Sequence, residues 1–283
     1  MKKIICLLLF MLSKNFFAYD ITNSPEFAAL VFKTIKKESY TPFNEQAFWA
    51  AGSIEEKLKT YLGNKNEAKV LFSESQKVEF GIRFVSSIVE NIGIIEVRHL
   101  TKEHTASDLS LALEYFETQK IQKIVLDFRF NESADFESGI KFMEQLLPNN
   151  SPLFIHKSKA GTKIFKTNNT RLEKRNLQFY ILQSSECGGM SEILTRLLKK
   201  HFYTKVIGQR SQGYALLSEL VPVSNGFSII VRKAEFTSLN KTSWHKKIIK
   251  PDVFVDTHSL NIKDRNQLIN ILFQADKSLQ SRL

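Results

Sequence analysis

The chain has 283 residues, of which 43% are hydrophobic and 24% are charged, and its formal net charge is +11. This length fits one large or two small domains, and the composition excludes a disordered, collagen-like or wholly membrane-embedded chain. Two cysteines and no C-x-x-C pair exclude a disulfide scaffold and the usual zinc fingers and ribbons.

Residues 1–18 have the pattern of a secretory signal peptide. Lys2 and Lys3 precede an unbroken apolar run over residues 4–12, which is too short to span a bilayer because a spanning helix needs about 20 residues. Ala18 is the expected last residue of the signal. We therefore expect export to the periplasm or the extracellular space; the alternative for this segment is a buried N-terminal helix.

Residues 19–75 are predicted to form a small helical region. The stretch 27–32 is strongly apolar, and residues 46–62 repeat apolar side chains near helical spacing. Phe48 and Trp49 are predicted core residues of this region. Polar residues 64–76 are predicted to be a linker.

Residues 76–260 are predicted to form an α/β domain, because strand-like and helix-like patterns alternate and so favour βαβ units. Strands are predicted at 92–97, 121–128, 153–155, 177–182 and 205–208, and helices at 105–119, 136–147 and 189–201. Two further strands, 215–223 and 227–236, are predicted to form a hairpin around Asn225-Gly226. Residues 261–283 are predicted to close the chain with a helix.

Two junctions between predicted elements carry residues suited to chemistry. In α/β folds, sites lie at the carboxyl ends of strands and the amino ends of helices. Residues 127–134 follow a buried strand. Residues 184–193 have the strand–turn–helix layout of a nucleophile elbow, which exposes a side chain beside helix N–H groups.

Six sequence blocks, all in order, give the chain a resemblance to the tail-specific, or C-terminal processing, serine peptidase family. The blocks are IGIIEV (92–97), IVLDFRFNESA (124–134), FMEQLLP (142–148), GMSEI (189–193), VIGQRSQGYA (206–215) and IKPDV (249–253). The resemblance implies an α/β fold with a crotonase-like peptidase core preceded by a helical region. The peptide-binding PDZ module that the family usually carries before the first block has no room here.

The resemblance also shows where the chain departs from the family. It places the nucleophilic serine at Gly189, the general-base lysine at Tyr214 and the supporting glutamine at Ser218. Glycine has no side chain, so it cannot form an acyl-enzyme. Tyrosine ionises at about pH 10, and burial would raise its pKa further.

The family's oxyanion-hole region corresponds to Ser133, Ala134 and Met190, which are candidate binding residues. The predicted function is therefore a catalytically inactive pseudoprotease. It would bind a peptide or protein partner in the former substrate groove by strand addition. A purely structural subunit with an empty groove is a further possibility.

The alternative is a divergent, active serine peptidase with a relocated nucleophile. Ser191 is the nearest candidate, but two helical residues turn a side chain by about 200° away from position 189. We therefore expect its hydroxyl to serve the helix start or packing. Ser184 and Ser185 would need a nearby base. Cys187 is predicted to be a buried, inert thiol.

The remaining polar residues are predicted to be structural. Asp127 and Arg129 are expected to hold a turn, and His201 to be a favourable cation at a helix end. The histidines show no metal-binding spacing, so we expect no metal and no cofactor. The lysine pairs are scattered, so we expect a solvated basic surface and no nucleic-acid partner. Attraction to an anionic membrane surface or an acidic partner is left open, because the basic charge is unspecific.

Overall fold

The computed structural model describes residues 24–63, 70–72, 84–131, 133–134, 136–224 and 226–280. The predicted signal peptide, most of the predicted linker and residue 225 of the predicted hairpin turn lie outside them. The helices of the described residues are α1 (Pro25–Glu38), α2 (Glu45–Ala50), α3 (Ile54–Leu62), α4 (Thr105–Thr118), α5 (Phe136–Glu144), α6 (Met190–His201) and α7 (Arg265–Gln280).

The strands of the described residues are β1 (Val70–Phe72), β2 (Phe84–Val89), β3 (Ile92–Val97), β4 (His99–Leu100), β5 (Lys123–Asp127), β6 (Ser133–Ala134), β7 (Pro152–Ser158), β8 (Gly161–Lys166), β9 (Gln178–Gln183), β10 (Tyr203–Gly208), β11 (Leu216–Ser224), β12 (Phe227–Thr237) and β13 (Val253–Phe254). The chain forms two compact units, one of residues 1–78 and 218–234 and the other of residues 79–217 and 235–283. Among the described residues, no helix combines the length and apolar character needed to cross a membrane.

The first unit has α1–α3 packed on its part of the β11–β12 hairpin. Its core consists of buried side chains from the helices and β12, including Phe27, Val31, Ile35, Phe48, Leu58, Phe227, Ile229 and Val231. Strand β1 pairs antiparallel with β12. This strand lies inside the stretch predicted to be a linker, so that part of the prediction was wrong.

The apolar repeat over residues 46–62 forms two helices rather than one. Ser53 and Glu56 make a reciprocal capping box that starts α3 after α2 has ended. Phe48 is fully buried, as predicted. Trp49 is 48% exposed, so its prediction as a core residue was wrong.

The second unit is built on a six-stranded sheet in the order β13-β10-β9-β5-β3-β2. Every pairing in this sheet is parallel except that of the edge strand β2. Strand β3 is buried along its whole length, because one face of the sheet packs with α4–α6 and the other with α7. These βαβ units confirm the predicted α/β fold.

Strands β2, β8 and β13 were missed by the sequence analysis. The β8 strand pairs antiparallel with β7, but most of its side chains are exposed and lysines flank its apolar pair. Strand β13 has only two residues. Exposed or very short strands carry little hydrophobic periodicity, which explains why the pattern did not reveal β8 and β13. In β2, Ser86 and Ser87 interrupt the apolar residues.

Candidate functional site

The carboxyl ends of the parallel strands lie along one edge of the second unit's sheet. The register aligns Asp127 of β5 with Leu182 of β9, and Gln183 of β9 with Gly208 of β10. A Cβ atom at Gly208 would lie 2.1 Å from the Gln183 carbonyl oxygen, and its φ is +121°. Glycine at this position therefore lets the two loops that follow β9 and β10 leave the sheet side by side.

Gly189 ends the first of these loops and precedes the first residue of α6. Its φ of 58° and ψ of −128° lie outside the regions that L-residues readily adopt. Its N–H donates to the carbonyl oxygen of Tyr214 at 2.7 Å. A Cβ atom at Gly189 would meet no atom within 4 Å. The position therefore has a backbone geometry that glycine adopts without strain, as in a tight strand–turn–helix junction, and open space where a side chain would begin.

Tyr214 belongs to the second loop, and the structure places its backbone against Gly189. The side chain is half-buried, and its ring lies edge-on to the His245 ring with centroids 5.7 Å apart. The structure thus brings together the two positions that the resemblance assigned to the nucleophile and the base. The residues present are a glycine and a tyrosine.

Glu192 holds the second loop in place, and sequence analysis missed this role. Its carboxylate is buried and accepts hydrogen bonds from the Gly213 N–H at 3.0 Å, the Tyr214 N–H and the Ser211 hydroxyl. Burial raises the pKa of Glu192 above its usual value, against the opposing effect of these donors. The only sequence signal was its place in the GMSEI block.

The hydroxyls of Ser184 and Ser191, near Gly189, are engaged in local hydrogen bonds. Ser191 is buried, and its hydroxyl donates to the Gly188 carbonyl oxygen at 2.8 Å, which is the predicted helix-start role. Ser184 is also buried, and its hydroxyl donates to the Arg129 carbonyl oxygen at 3.3 Å. Ser185 is exposed, with its N–H bonded to the Gln209 side chain.

Cys187 has a buried thiol, as predicted. The thiol donates to the Phe128 carbonyl oxygen, with sulfur and oxygen 3.3 Å apart, and accepts from the Ser184 N–H. Burial raises the pKa of the Cys187 thiol above its usual value. A thiol whose pKa is raised is a poor nucleophile at neutral pH.

The other predicted site residues lie in different places. Ser133 and Ala134 form β6, which pairs in parallel with β4. Met190 is buried, and its side chain packs on Gly139 of α5, where a Cβ atom would come within 2.2 Å of the Met190 sulfur. Ser218 is a half-buried residue of β11 and belongs to the first unit.

Asp127 and Arg129 form a buried ion pair that fixes the turn after β5, as predicted. The Arg129 Nε and Nη2 atoms donate to the two carboxylate oxygens at 2.9 and 2.8 Å. Its Nη1 atom donates to the carbonyl oxygens of Thr257 and Leu260. The guanidinium therefore ties the turn to the chain after β13.

His201 differs from its prediction as a helix-end cation. Burial, aided by Lys200 and Lys174, lowers the pKa of His201 to about 4. The imidazole is therefore neutral at pH 7, because desolvation outweighs the favourable field of the helix end. Among the described residues, no group of three or more histidine, cysteine, aspartate or glutamate side chains is placed to hold a metal ion.

Comparisons with known proteins agree with this architecture. Residues 91–255 match the family described as Peptidase family S41. The carboxy-terminal processing protease CtpB of Bacillus subtilis is 25% identical over 165 residues, which is 58% of this chain and 34% of that relative. The chain thus spans about a third of the length of the curated relatives it matches.

Solved structures share the fold, and two of them serve as examples. A lipoprotein from Streptococcus agalactiae superposes with a TM-score of 0.64 at 14% identity, over 87% of this chain and 95% of that chain. A photosystem II D1 C-terminal processing protease superposes with a TM-score of 0.55 at 19% identity, over 70% of this chain and 54% of that chain.

Proposed function

The chain belongs to peptidase family S41, and from this premise we propose that it is a catalytically inactive member, a pseudoprotease. It binds an extended segment of a peptide or protein partner beside Gly189. The observation that carries the proposal is the pairing of Gly189 with Tyr214 at the positions that the resemblance gives to nucleophile and base. The scaffold of a reaction centre is kept there without its reacting groups.

The chemistry of these two residues argues against peptide hydrolysis. Acyl transfer needs a hydroxyl or thiol at the elbow and a base within hydrogen-bond distance of it. Glycine offers no such group, and a neutral tyrosine accepts a proton poorly at pH 7. Ser191 does not replace the nucleophile, since its buried hydroxyl is directed to the Gly188 carbonyl oxygen.

Peptide binding requires fewer specific chemical groups than peptide hydrolysis does. An extended peptide is held mainly by main-chain hydrogen bonds and by space for its side chains. The open space above Gly189 supports such a role, because a residue there would find no obstructing atom within 4 Å of the glycine's Cβ position. The names of the curated relatives describe processing of carboxyl termini, so a carboxyl-terminal segment of a partner is the form of ligand that we propose.

The proposed place of action is outside the cytoplasm, in the periplasm or the extracellular space. The support is the lysine-then-apolar pattern of residues 1–18. The bacterial processing proteases and the lipoprotein to which the chain is similar are in keeping with this location.

Two measurements test the proposal. The first is the intact mass of the protein after incubation with a fluorophosphonate probe, with an active serine peptidase as positive control. We expect no added mass. One added probe would overturn the inactive assignment and establish the relocated-nucleophile alternative, with the labelled serine mapped by Ser185→Ala and Ser191→Ala.

The second is retention of short random-sequence peptides on the immobilised protein, read by mass spectrometry. Gly189→Leu fills the open space and should abolish retention. Gly63→Leu is the control, because Gly63 also has positive φ and no atom within 4 Å of its Cβ position but follows α3. Since the φ and ψ of Gly189 strain a side chain more than those of Gly63 do, circular dichroism is used to verify that Gly189→Leu is folded in the assay. Absence of retention by the unmodified protein, or equal retention by both variants, would contradict peptide binding at Gly189.

A further inference from the structure

Four basic side chains are exposed around the loop that carries Tyr214. We call them the basic rim; they are Arg210, Lys246, Lys247 and Lys250. Arg210 lies in the loop itself, and the three lysines lie on the segment 244–250. The sequence from 238 to 251 holds four lysines and no acidic residue.

Backbone hydrogen bonds place this segment against the loop. The Lys246 N–H donates to the Gly213 carbonyl oxygen at 2.6 Å, and the Ser211 N–H donates to the Ile249 carbonyl oxygen at 3.1 Å. The Ile249 N–H returns a hydrogen bond to the Ser211 hydroxyl at 2.8 Å. The basic rim therefore flanks the residue whose carbonyl oxygen binds the Gly189 N–H.

Hydrogen bonds fix the backbone of the turn that carries Lys246 and Lys247. Lys246 has a φ of 61°, a left-handed conformation that is uncommon for residues other than glycine. The Arg196 guanidinium donates to the Lys247 carbonyl oxygen. The points from which these lysine side chains leave the backbone are thus set by hydrogen bonds to the loop and to α6.

Three carboxylates near this segment are engaged elsewhere. Glu192 is buried among the loop donors. Asp252 lies 3.2 Å from the Lys199 ammonium and accepts the Val206 N–H at 2.9 Å. Glu235 accepts a hydrogen bond from the Ser243 hydroxyl. Among the described residues, no carboxylate oxygen lies within 4 Å of a nitrogen of the basic rim.

We infer that the basic rim selects an acidic segment of the partner, with aspartate or glutamate side chains beside the part that binds at Gly189. This inference rests on the proposed function, since it names the chemical class of the peptide. Charges at the edge of a binding site act over about 8 Å at physiological ionic strength. They raise the association rate of a complementary partner and exclude partners of the same charge.

The test compares peptides retained by three forms of the protein from one random-sequence peptide mixture. The forms are the unmodified protein, the double variant Lys246→Glu/Lys247→Glu, and Lys120→Glu. Lys120 is the matched control, because it too is an exposed lysine with a φ of 57°. It precedes β5 and so lies at the opposite edge of the sheet. Calorimetry then measures the Kd of one retained acidic peptide and the Kd of a copy in which glutamine replaces the acidic residues.

Aspartate and glutamate should be enriched among peptides retained by the unmodified protein and by Lys120→Glu, but not by the double variant. The Kd of the acidic peptide should rise at least about tenfold in the double variant and should also rise with salt. Retention without acidic enrichment would overturn the inference and leave the proposed function intact. If Lys120→Glu lost the acidic enrichment as fully as the double variant, the effect would be due to net charge, and the inference would be overturned as well. Absence of retained peptides would overturn both.

Discussion

The Glu192 carboxylate accepts a hydrogen bond from the backbone N–H of Tyr214, which lies 22 positions later in the chain. The same carboxylate accepts from Gly213 and Ser211. Since the Tyr214 carbonyl oxygen in turn receives the Gly189 N–H, one buried side chain of α6 fixes both loops of the candidate site. The loop geometry thus holds together the two positions on which the proposed function rests.

Replacing Glu192 should destabilise the protein and loosen this loop. Glu192→Ala leaves three donors without their acceptor, which should lower the free energy of unfolding by about 2–5 kcal/mol. Urea unfolding measures this loss, and hydrogen exchange should show faster exchange of the Gly213 and Tyr214 amides. The control is Glu186→Ala, at an exposed acidic residue of the loop that Gly189 ends. It should change the free energy of unfolding by less than about 0.5 kcal/mol. Unchanged amide exchange in Glu192→Ala would contradict the role of this carboxylate.

Gly189→Ala should be destabilising through backbone strain rather than collision. The added methyl group meets no atom within 4 Å, but the φ and ψ values of Gly189 cost an L-residue about 1–3 kcal/mol. Gly63→Ala is the comparison, because Gly63 has an ordinary left-handed conformation with a ψ of 5°. Chemical unfolding should show the larger loss for Gly189→Ala; an equal or smaller loss would mean that the turn relaxes.

Arg129→Ala should be among the single substitutions that destabilise the protein most. Asp127 is fully buried, and a buried carboxylate deprived of its partner costs about 3–5 kcal/mol. Arg129→Lys should lose less, since it keeps the charge but not the two-pronged geometry. The control is Lys102→Ala, which breaks an exposed pair with Glu137 and should cost at most about 1 kcal/mol. Urea unfolding measures the loss of stability in each variant. A loss for Arg129→Ala as small as that for Lys102→Ala would refute the structural role of Arg129.

His201 should make stability fall as the pH is lowered from neutral. Its pKa of about 4 in the folded state is below the ordinary value of about 6.5. The unfolded chain therefore binds the proton first, and the contribution present above pH 6.5 is lost as the pH falls towards 4. Because the imidazole is only half-buried, solvent screens its charge, and the expected loss is about 1–2 kcal/mol.

Urea unfolding at several pH values checks this dependence. In His201→Gln this part of the pH dependence should vanish, whereas His258→Gln, at an exposed histidine, should keep it. A His201→Gln variant that retains the full pH dependence would show that His201 is not the group responsible.

Short-range features of the chain made much of the core predictable and pointed to two positions that the structure brings together. Runs of apolar residues gave the buried strands β3, β5 and β9, because a strand covered on both faces needs apolar side chains throughout. The family resemblance of six sequence blocks, all in order, singled out Gly189 and Tyr214 as candidate positions. Turn and block patterns are local in sequence, so they can be read without coordinates.

Long-range packing decided the rest. The engagement of Glu192 by a distant loop, the exposure of Trp49 and the neutral state of His201 depend on what neighbouring elements bury. Sequence periodicity also gave no sign that residues 218–234 pack with the N-terminal helices. Desolvation and hydrogen bonding between residues far apart in the chain fix these features, and they exist only once the tertiary structure has brought those residues together.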